Sequence, residues 1–152
     1  MDAVVQLIQK SRRYIFHAIS LMLAACANYS FDINNNEVYS PPRLFSAFDI
    51  SDPGLENCIK QTISDQKITK VENMETLACS HAGIISLDGL SQFSRLVSIN
   101  LRSNQIQNAD ELLQLTHLRD LDITNNPIEN CQTLDQLGNL VTGQFLHNGT
   151  CP

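Results

Sequence analysis

A hydrophobic pattern that recurs every 22 residues constrains the fold of this chain more than any other feature of its sequence. Two successive units share an order of apolar positions that includes one asparagine: Leu96, Ile99, Leu101, Asn104, Ile106 and then Leu118, Leu121, Ile123, Asn126, Ile128. A weaker copy precedes them from Met74, and a decayed copy follows them with Gly143, Phe145 and Asn148. A fixed period of this length predicts stacked supersecondary units that bury one another's apolar rows.

An alternative interpretation is a pair of amphipathic helices with leucines three residues apart, but it does not explain why the asparagines stay in phase. The order L-x-x-I-x-L-x-x-N-x-I resembles the leucine-rich repeats of the bacterial internalin type. This resemblance implies an α/β solenoid, here a short array over residues 68–152. Each unit would add one short parallel strand to a concave sheet, and a 3₁₀ or irregular segment would return along the convex side.

The segment before the repeats resembles the N-terminal helical cap of internalin-type domains, which we place at residues 45–67. Asp52 is a favourable N-cap residue, and Pro53 suits the first helical position. Leu55, Ile59 and Ile63 then follow one another at helical spacing. We therefore expect a helix here that covers the first repeat.

The first 25 residues differ in character from the rest of the chain. Basic residues up to Arg13 precede the apolar run 14–25, which is too short to span a bilayer but suits a signal peptide. Leu23-Ala24-Ala25-Cys26 resembles a bacterial lipobox, although an ordinary secretory signal is the alternative. The resemblance implies removal of residues 1–25 and acylation of Cys26. Ala27, in place of an aspartate, points to an outer-membrane lipoprotein that faces the periplasm or the cell surface.

Residues 26–44 form a predicted tether. They contain three consecutive asparagines, Asn34 to Asn36, and the pair Pro41-Pro42, with little apolar periodicity. Fully extended, such a tether reaches up to about 60 Å. The domain would then be attached to the membrane through its lipid alone.

Four cysteines remain if Cys26 is acylated, and they allow three pairings. Export permits disulfides. Within the implied repeat layers, Cys79 lies next to the cap that carries Cys58, and Cys131 lies next to the last layer with Cys151. We therefore predict the disulfides Cys58–Cys79 and Cys131–Cys151; free buried thiols are the alternative.

Composition and motifs exclude several functions. The chain has a formal charge of -6 and gathers no basic residues after Arg13, so it lacks the electrostatic footprint of a nucleic-acid-binding protein. We find no catalytic motif, no phosphate-binding glycine loop and no spacing typical of a metal site. The sequence therefore predicts a protein that is not an enzyme and needs neither cofactor nor metal.

The remaining expectation is protein binding by side chains that alternate with the buried strand residues. These predicted partner-binding residues are Ser98, Asn100, Arg102, Asp120, Asp122, Thr124 and Gln144. We also expect Arg102 to pair with Asp122 across strands. A sheet that is merely solvated by polar residues is the alternative.

The predicted function is thus a membrane-anchored, noncatalytic protein-binding module of the bacterial envelope. The alternatives are a structural accessory subunit of an envelope complex and a surface adhesin. The decayed last unit leaves Phe145 near the end of the stack, where an uncovered strand edge would favour self-association.

Overall fold

The computed structural model describes residues 31–33, 36–39 and 42–148. The chain divides into two compact units, Met1–Pro42 and Arg43–Pro152. In the first unit, strand β1 (Phe31–Ile33) pairs antiparallel with strand β2 (Asn36–Tyr39). Part of the predicted tether is therefore a pair of short antiparallel strands, whose sequences include β-favouring residues such as Phe31 and Tyr39. The predicted signal peptide and Cys26 lie outside the described residues.

The second unit contains a parallel sheet of four short strands in sequence order. They are β3 (Thr76–Ala78), β4 (Ser98–Asn100), β5 (Asp120–Asp122) and β6 (Phe145–Leu146). Leu77, Ile99 and Leu121 pair with one another in register and are almost fully buried. The buried apolar rows form one core along the stack, as the 22-residue period predicts.

The segments that connect successive strands, here called return segments, pack on the other side of this core. Two of them contain the 3₁₀ helices Leu90–Gln92 and Asp110–Gln114, which have no side-chain cap. The last one is instead an α-helix, α2 (Cys131–Leu140). This differs from the predicted 3₁₀ or irregular segment because the Asn130 side chain caps the amides of Gln132 and Thr133.

The α-helix changes the register of the last strand by two residues. Leu121 pairs with Phe145, which is 24 residues later, although β4 and β5 pair at the 22-residue period. An α-helix rises about 1.5 Å per residue and a 3₁₀ helix about 2.0 Å, so α2 needs more residues to return to the sheet. The predicted alignment of Gly143 with Leu121 is therefore wrong.

Buried asparagines connect the turns that follow the strands. Asn104, 7% exposed, donates to the carbonyls of Cys79 and Leu101 and accepts from the amides of Ala82 and Ile84. Asn126 repeats the arrangement one layer on: it donates to Leu101 and Ile123 and accepts from Ile106. Each asparagine satisfies backbone groups that neither sheet nor helix pairs, which is the condition for burying them.

Asn148 does not continue this series, contrary to the sequence prediction. It is exposed, and its amide donates to the side chain of Asn125 at 2.7 Å. The two-residue shift of β6 explains the difference, because Asn148 no longer occupies the position equivalent to Asn126.

At the other end of the stack, helix α1 (Pro53–Gln66) packs against β3 and buries Leu55, Ile59 and Ile63. Its N-cap is Asp52, as the sequence predicts. The structure also contains the disulfide Cys58–Cys79, which joins the helix to the residue that follows β3 with a Cα–Cα distance of 5.8 Å.

The other predicted disulfide falls partly outside the described residues. Cys131 begins helix α2, whereas Cys151 is not described. The pairing Cys131–Cys151 therefore stays a prediction.

Asp52 has a second role, because the first layer has Ala82 where later layers have asparagine. One carboxylate oxygen of Asp52 accepts from the Leu55 amide, and the other accepts from the amides of Ile85 and Ser86. Burial by itself raises the pKa of this carboxyl. The amide donors outweigh burial and hold the pKa below its ordinary value. A single carboxylate thus joins the helix to the first return segment.

Replacing Asn104 with alanine removes four hydrogen bonds to buried or partly buried backbone groups, of which the Leu101 carbonyl keeps a second donor in Asn126. We expect Asn104→Ala to lower the free energy of unfolding by about 2–4 kcal/mol. Asn148→Ala is the matched control, because loss of this exposed side chain should lower the free energy of unfolding by less than about 0.5 kcal/mol. Urea unfolding of both variants checks this, and equal costs would contradict a structural role for the buried asparagine.

Asp52→Asn should destabilise the protein by about 1–3 kcal/mol near neutral pH, since an amide group would then face backbone donors. Because the folded-state pKa of Asp52 is lowered, its contribution is complete above the unfolded-state pKa, about 3.9, and is lost as pH falls through the folded value. Urea unfolding between pH 7 and pH 2 should therefore show the two proteins converging at the acid end. A difference that stays constant with pH would refute the ionic contribution.

Candidate binding face

The side chains that alternate with the buried strand residues form one accessible surface, here called the open sheet face. It consists of the outward residues of β3–β6 and of the second and third residues after β3, β4 and β5. In β3 both flanking residues are exposed, and in β4 and β5 they are half-buried. The register places Thr76, Ser98 and Asp120 in one row across the sheet. The face is thus a continuous surface on a backbone fixed by the stack.

Asp120 is less available for binding than the sequence predicts. Its carboxylate accepts from the backbone amide of Gln144 at 3.0 Å and pairs with the Arg119 guanidinium at 2.8–2.9 Å. The Gln144 amide, followed by the hydrogen bond from Arg119, lowers the pKa of Asp120. Asp120 therefore helps to hold β6 against β5. The sequence offered no sign of the Arg119 contact, because the two residues are neighbours on opposite sides of a strand.

Asn100 and Asp122 use one side-chain oxygen each to fix the turn after their strand. Asn100 accepts from the Arg102 amide at 3.0 Å. Asp122 accepts from both the amide and the hydroxyl of Thr124, at 2.9 and 2.6 Å. Among the described residues Arg102 forms no ion pair, so the predicted pair Arg102–Asp122 is wrong. Asp122 is instead engaged by Thr124 on its own strand end.

The seven predicted partner-binding residues thus divide by their contacts. Arg102 is exposed, Ser98 is half-buried, and neither side chain has a hydrogen-bonding partner among those described. Asn100, Asp120, Asp122 and Thr124 make hydrogen bonds within the chain. Gln144 lies next to Asp120 through the shifted register, and its carbonyl accepts from Leu121.

Close backbone approach at the last strand depends on Gly143. A methyl group on this residue would lie 2.6 Å from the Asp120 carboxylate and 2.9 Å from the Arg119 carbonyl. The Gly143 amide donates to that same carbonyl at 2.8 Å. The absence of a side chain therefore allows β6 to join the sheet.

Strand β6 is the last strand of the sheet that the structure describes. Phe145 packs against the core and stacks on His147 with ring centroids 4.7 Å apart, and Leu146 is 39% exposed. Self-association through this edge stays a prediction.

Metal chemistry finds no support in the described part of the chain. Residues 42–148 bring together no group of three or more histidine, cysteine, aspartate or glutamate side chains that could hold a metal ion. The open sheet face contains mostly small polar side chains, which suit recognition of a surface.

Solved structures show a similar fold in two proteins of Listeria monocytogenes. An internalin C2 is 22% identical with a TM-score of 0.52, over 62% of this chain and 43% of that protein. An internalin (inlF) is 25% identical with a TM-score of 0.54, over 64% of this chain and 31% of that protein. The chain thus spans less than half of either structure. No family model and no curated protein matches it. The fold is a solenoid of the leucine-rich-repeat type.

The close approach at Gly143 generates a test of the last strand. Gly143→Ala should lower the free energy of unfolding by about 1–3 kcal/mol, because the added methyl group displaces the backbone of Arg119. Amide exchange at Leu121 and Ile123, which donate to β6, should accelerate in this variant.

Gly138→Ala is the matched control. Its methyl group would lie 3.8 Å from the Phe145 ring, an ordinary contact, and alanine favours a helix by up to about 1 kcal/mol. If both alanine variants have the same stability, close packing at Gly143 is not what joins β6 to the sheet.

Proposed function

We propose that the chain is a membrane-anchored, noncatalytic protein-binding module of the bacterial envelope, and that it binds its partner through the open sheet face. The observation that carries this proposal is the separation between backbone and surface in the repeats. Buried leucines and isoleucines, with Asn104 and the half-buried Asn126, hold the strands, and the outward residues differ from layer to layer while the core rows stay apolar. Such an array presents chosen side chains at fixed spacing.

The dimensions of the face limit the kind of complex that it can form. Four strands about 4.8 Å apart give a sheet roughly 15–20 Å wide. A standard protein–protein interface uses about 20–30 residues on each side, which is more than this sheet supplies. The partner would therefore contact the turns beside the strands as well, or bind weakly.

The lipobox-like segment ending at Cys26 supports the anchoring part of the proposal. No helix in the described part of the chain is long and apolar enough to cross a bilayer. Acyl chains on Cys26 would then provide the attachment, and stable anchoring requires more than one chain. An outer-membrane location facing the periplasm or the surface follows from the same resemblance.

Site-specific photocrosslinking tests the binding face. A photoreactive residue in place of Ala78, which is exposed on β3, should capture a protein in the producing bacterium. The same residue in place of Gln136, which is exposed on α2, is the matched control and should not. Denaturing gels of purified adducts give the result. Capture from Gln136 with none from Ala78 would reject the open sheet face as the binding surface.

Cys26→Ser tests the anchor independently of binding. The wild-type protein should partition into the detergent phase and incorporate radiolabelled palmitate, and the variant should do neither. Cys58→Ser is the control: it changes a cysteine of the repeat domain, leaves Cys26 in place and should still incorporate palmitate. Incorporation of palmitate by Cys26→Ser would refute acylation at this residue.

A further inference from the structure

We propose that the open sheet face recognises a carboxylate-bearing segment of its protein partner, and that Arg102 is the residue that binds it. This inference rests on the proposed function, which it deepens by naming the chemistry of the partner. The site lies at the carboxyl ends of the strands, where the chain leaves the sheet.

Charge is distributed unequally along the strands. The second and third residues after β3, β4 and β5 carry no carboxylate: Ser80, His81, Arg102, Ser103, Thr124 and Asn125. Arg102 is the one permanently charged residue in this group. A chain with a net charge of -6 thus presents, at this edge of its sheet, a guanidinium that has no ion pair among the described residues.

The carboxylates nearest in register form no ion pair with Arg102. Asp122 is engaged by the Thr124 amide and hydroxyl, and Asp120 is engaged by Arg119. The described residues provide no ion pair to Arg102, and its side chain is exposed. Its five donors are therefore available, in a planar arrangement that matches a carboxylate through two parallel hydrogen bonds.

The backbone that carries Arg102 is fixed before any partner arrives. The Arg102 amide donates to Asn100, and the Arg102 carbonyl accepts from the His81 amide at 3.0 Å. His81, Ser103 and Asn125 each adopt the left-handed conformation, with φ of 57°. Binding therefore orders one side chain and leaves the loop unchanged, which limits its entropic cost.

Neutral polar groups continue the surface beside Arg102. The Asn125 amide donates to the Ser103 hydroxyl at 3.2 Å, and the Asn148 amide donates to Asn125 at 2.7 Å. The Ser103 hydroxyl oxygen accepts from Asn125, so the hydroxyl proton remains available to donate to an oxygen of the partner. The edge thus combines the Arg102 cation with the hydroxyl donor of Ser103, and a carboxylate can accept from both.

A protein carboxylate fits this edge better than a nucleic-acid phosphate does. Nucleic-acid binding depends on several cations that follow the phosphate backbone, and this edge offers one in an acidic chain. The proposal therefore commits to an acidic protein segment, and nucleic-acid binding is an outcome that would overturn it.

The probe is an acetylated, amidated hexaglutamate peptide, titrated into the purified chain and followed by two-dimensional NMR. The peptide should produce saturable shifts at Ser80, Arg102 and Thr124. Arg102→Gln should weaken its binding at least tenfold, whereas the matched control Arg95→Gln, at an exposed arginine ahead of β4, should leave it within twofold. Hexalysine should not shift these residues.

Three results would overturn the inference: no saturable shift with hexaglutamate, equal binding by Arg102→Gln, or tighter binding of a single-stranded oligonucleotide at the same residues. Crosslinking from Ala78 separates this failure from that of the proposed function. Capture from Ala78 that Arg102→Gln leaves unchanged would keep the open sheet face as a binding surface and reject Arg102 as its anchor. No capture from Ala78 in the otherwise wild-type protein, with hexaglutamate still bound at Arg102, would count against the proposed function and leave Arg102 as a carboxylate-binding residue.

Discussion

The carbonyl of Leu101 accepts hydrogen bonds from two asparagines, Asn104 in its own turn and Asn126 in the next, and the repeat depends on this shared contact. Each strand of the parallel sheet, β3 to β6, is three residues long or shorter, so most of the backbone in a layer lies outside the sheet. Buried backbone groups must be paired. The asparagines pair them between layers, and the apolar rows can then close into one core.

Much of this architecture is predictable from sequence, because period and burial are set by the same residues. The strands, the inward rows, the N-cap at Asp52 and the equivalence of Asn104 and Asn126 follow from the pattern. The last unit is not predictable in this way. Asn130 caps an α-helix there, the helix uses two more residues per layer, and Gly143 and Asn148 move out of the positions that a strict 22-residue count gives them.

The sequence predicts only part of the binding face. Alternation shows which side chains point outward, yet it does not show which are already engaged. Asp120 pairs with its neighbour Arg119, Asp122 pairs with Thr124, and Arg102 is left without an ion pair among the described residues. These contacts depend on side-chain conformation rather than on spacing. Of the three charged residues predicted to bind a partner, they leave only Arg102 without such an engagement.

The most direct test of the shared asparagine network is a double-mutant cycle between Asn104 and Asn126, measured by urea unfolding of both alanine variants and their combination. Either single change leaves the Leu101 carbonyl with one of its two asparagine donors, and the combination removes both. The combined loss of stability should therefore exceed the sum of the single losses by about 0.5–2 kcal/mol. Additive losses, within about 0.3 kcal/mol, would show that the asparagines act separately and would contradict this account.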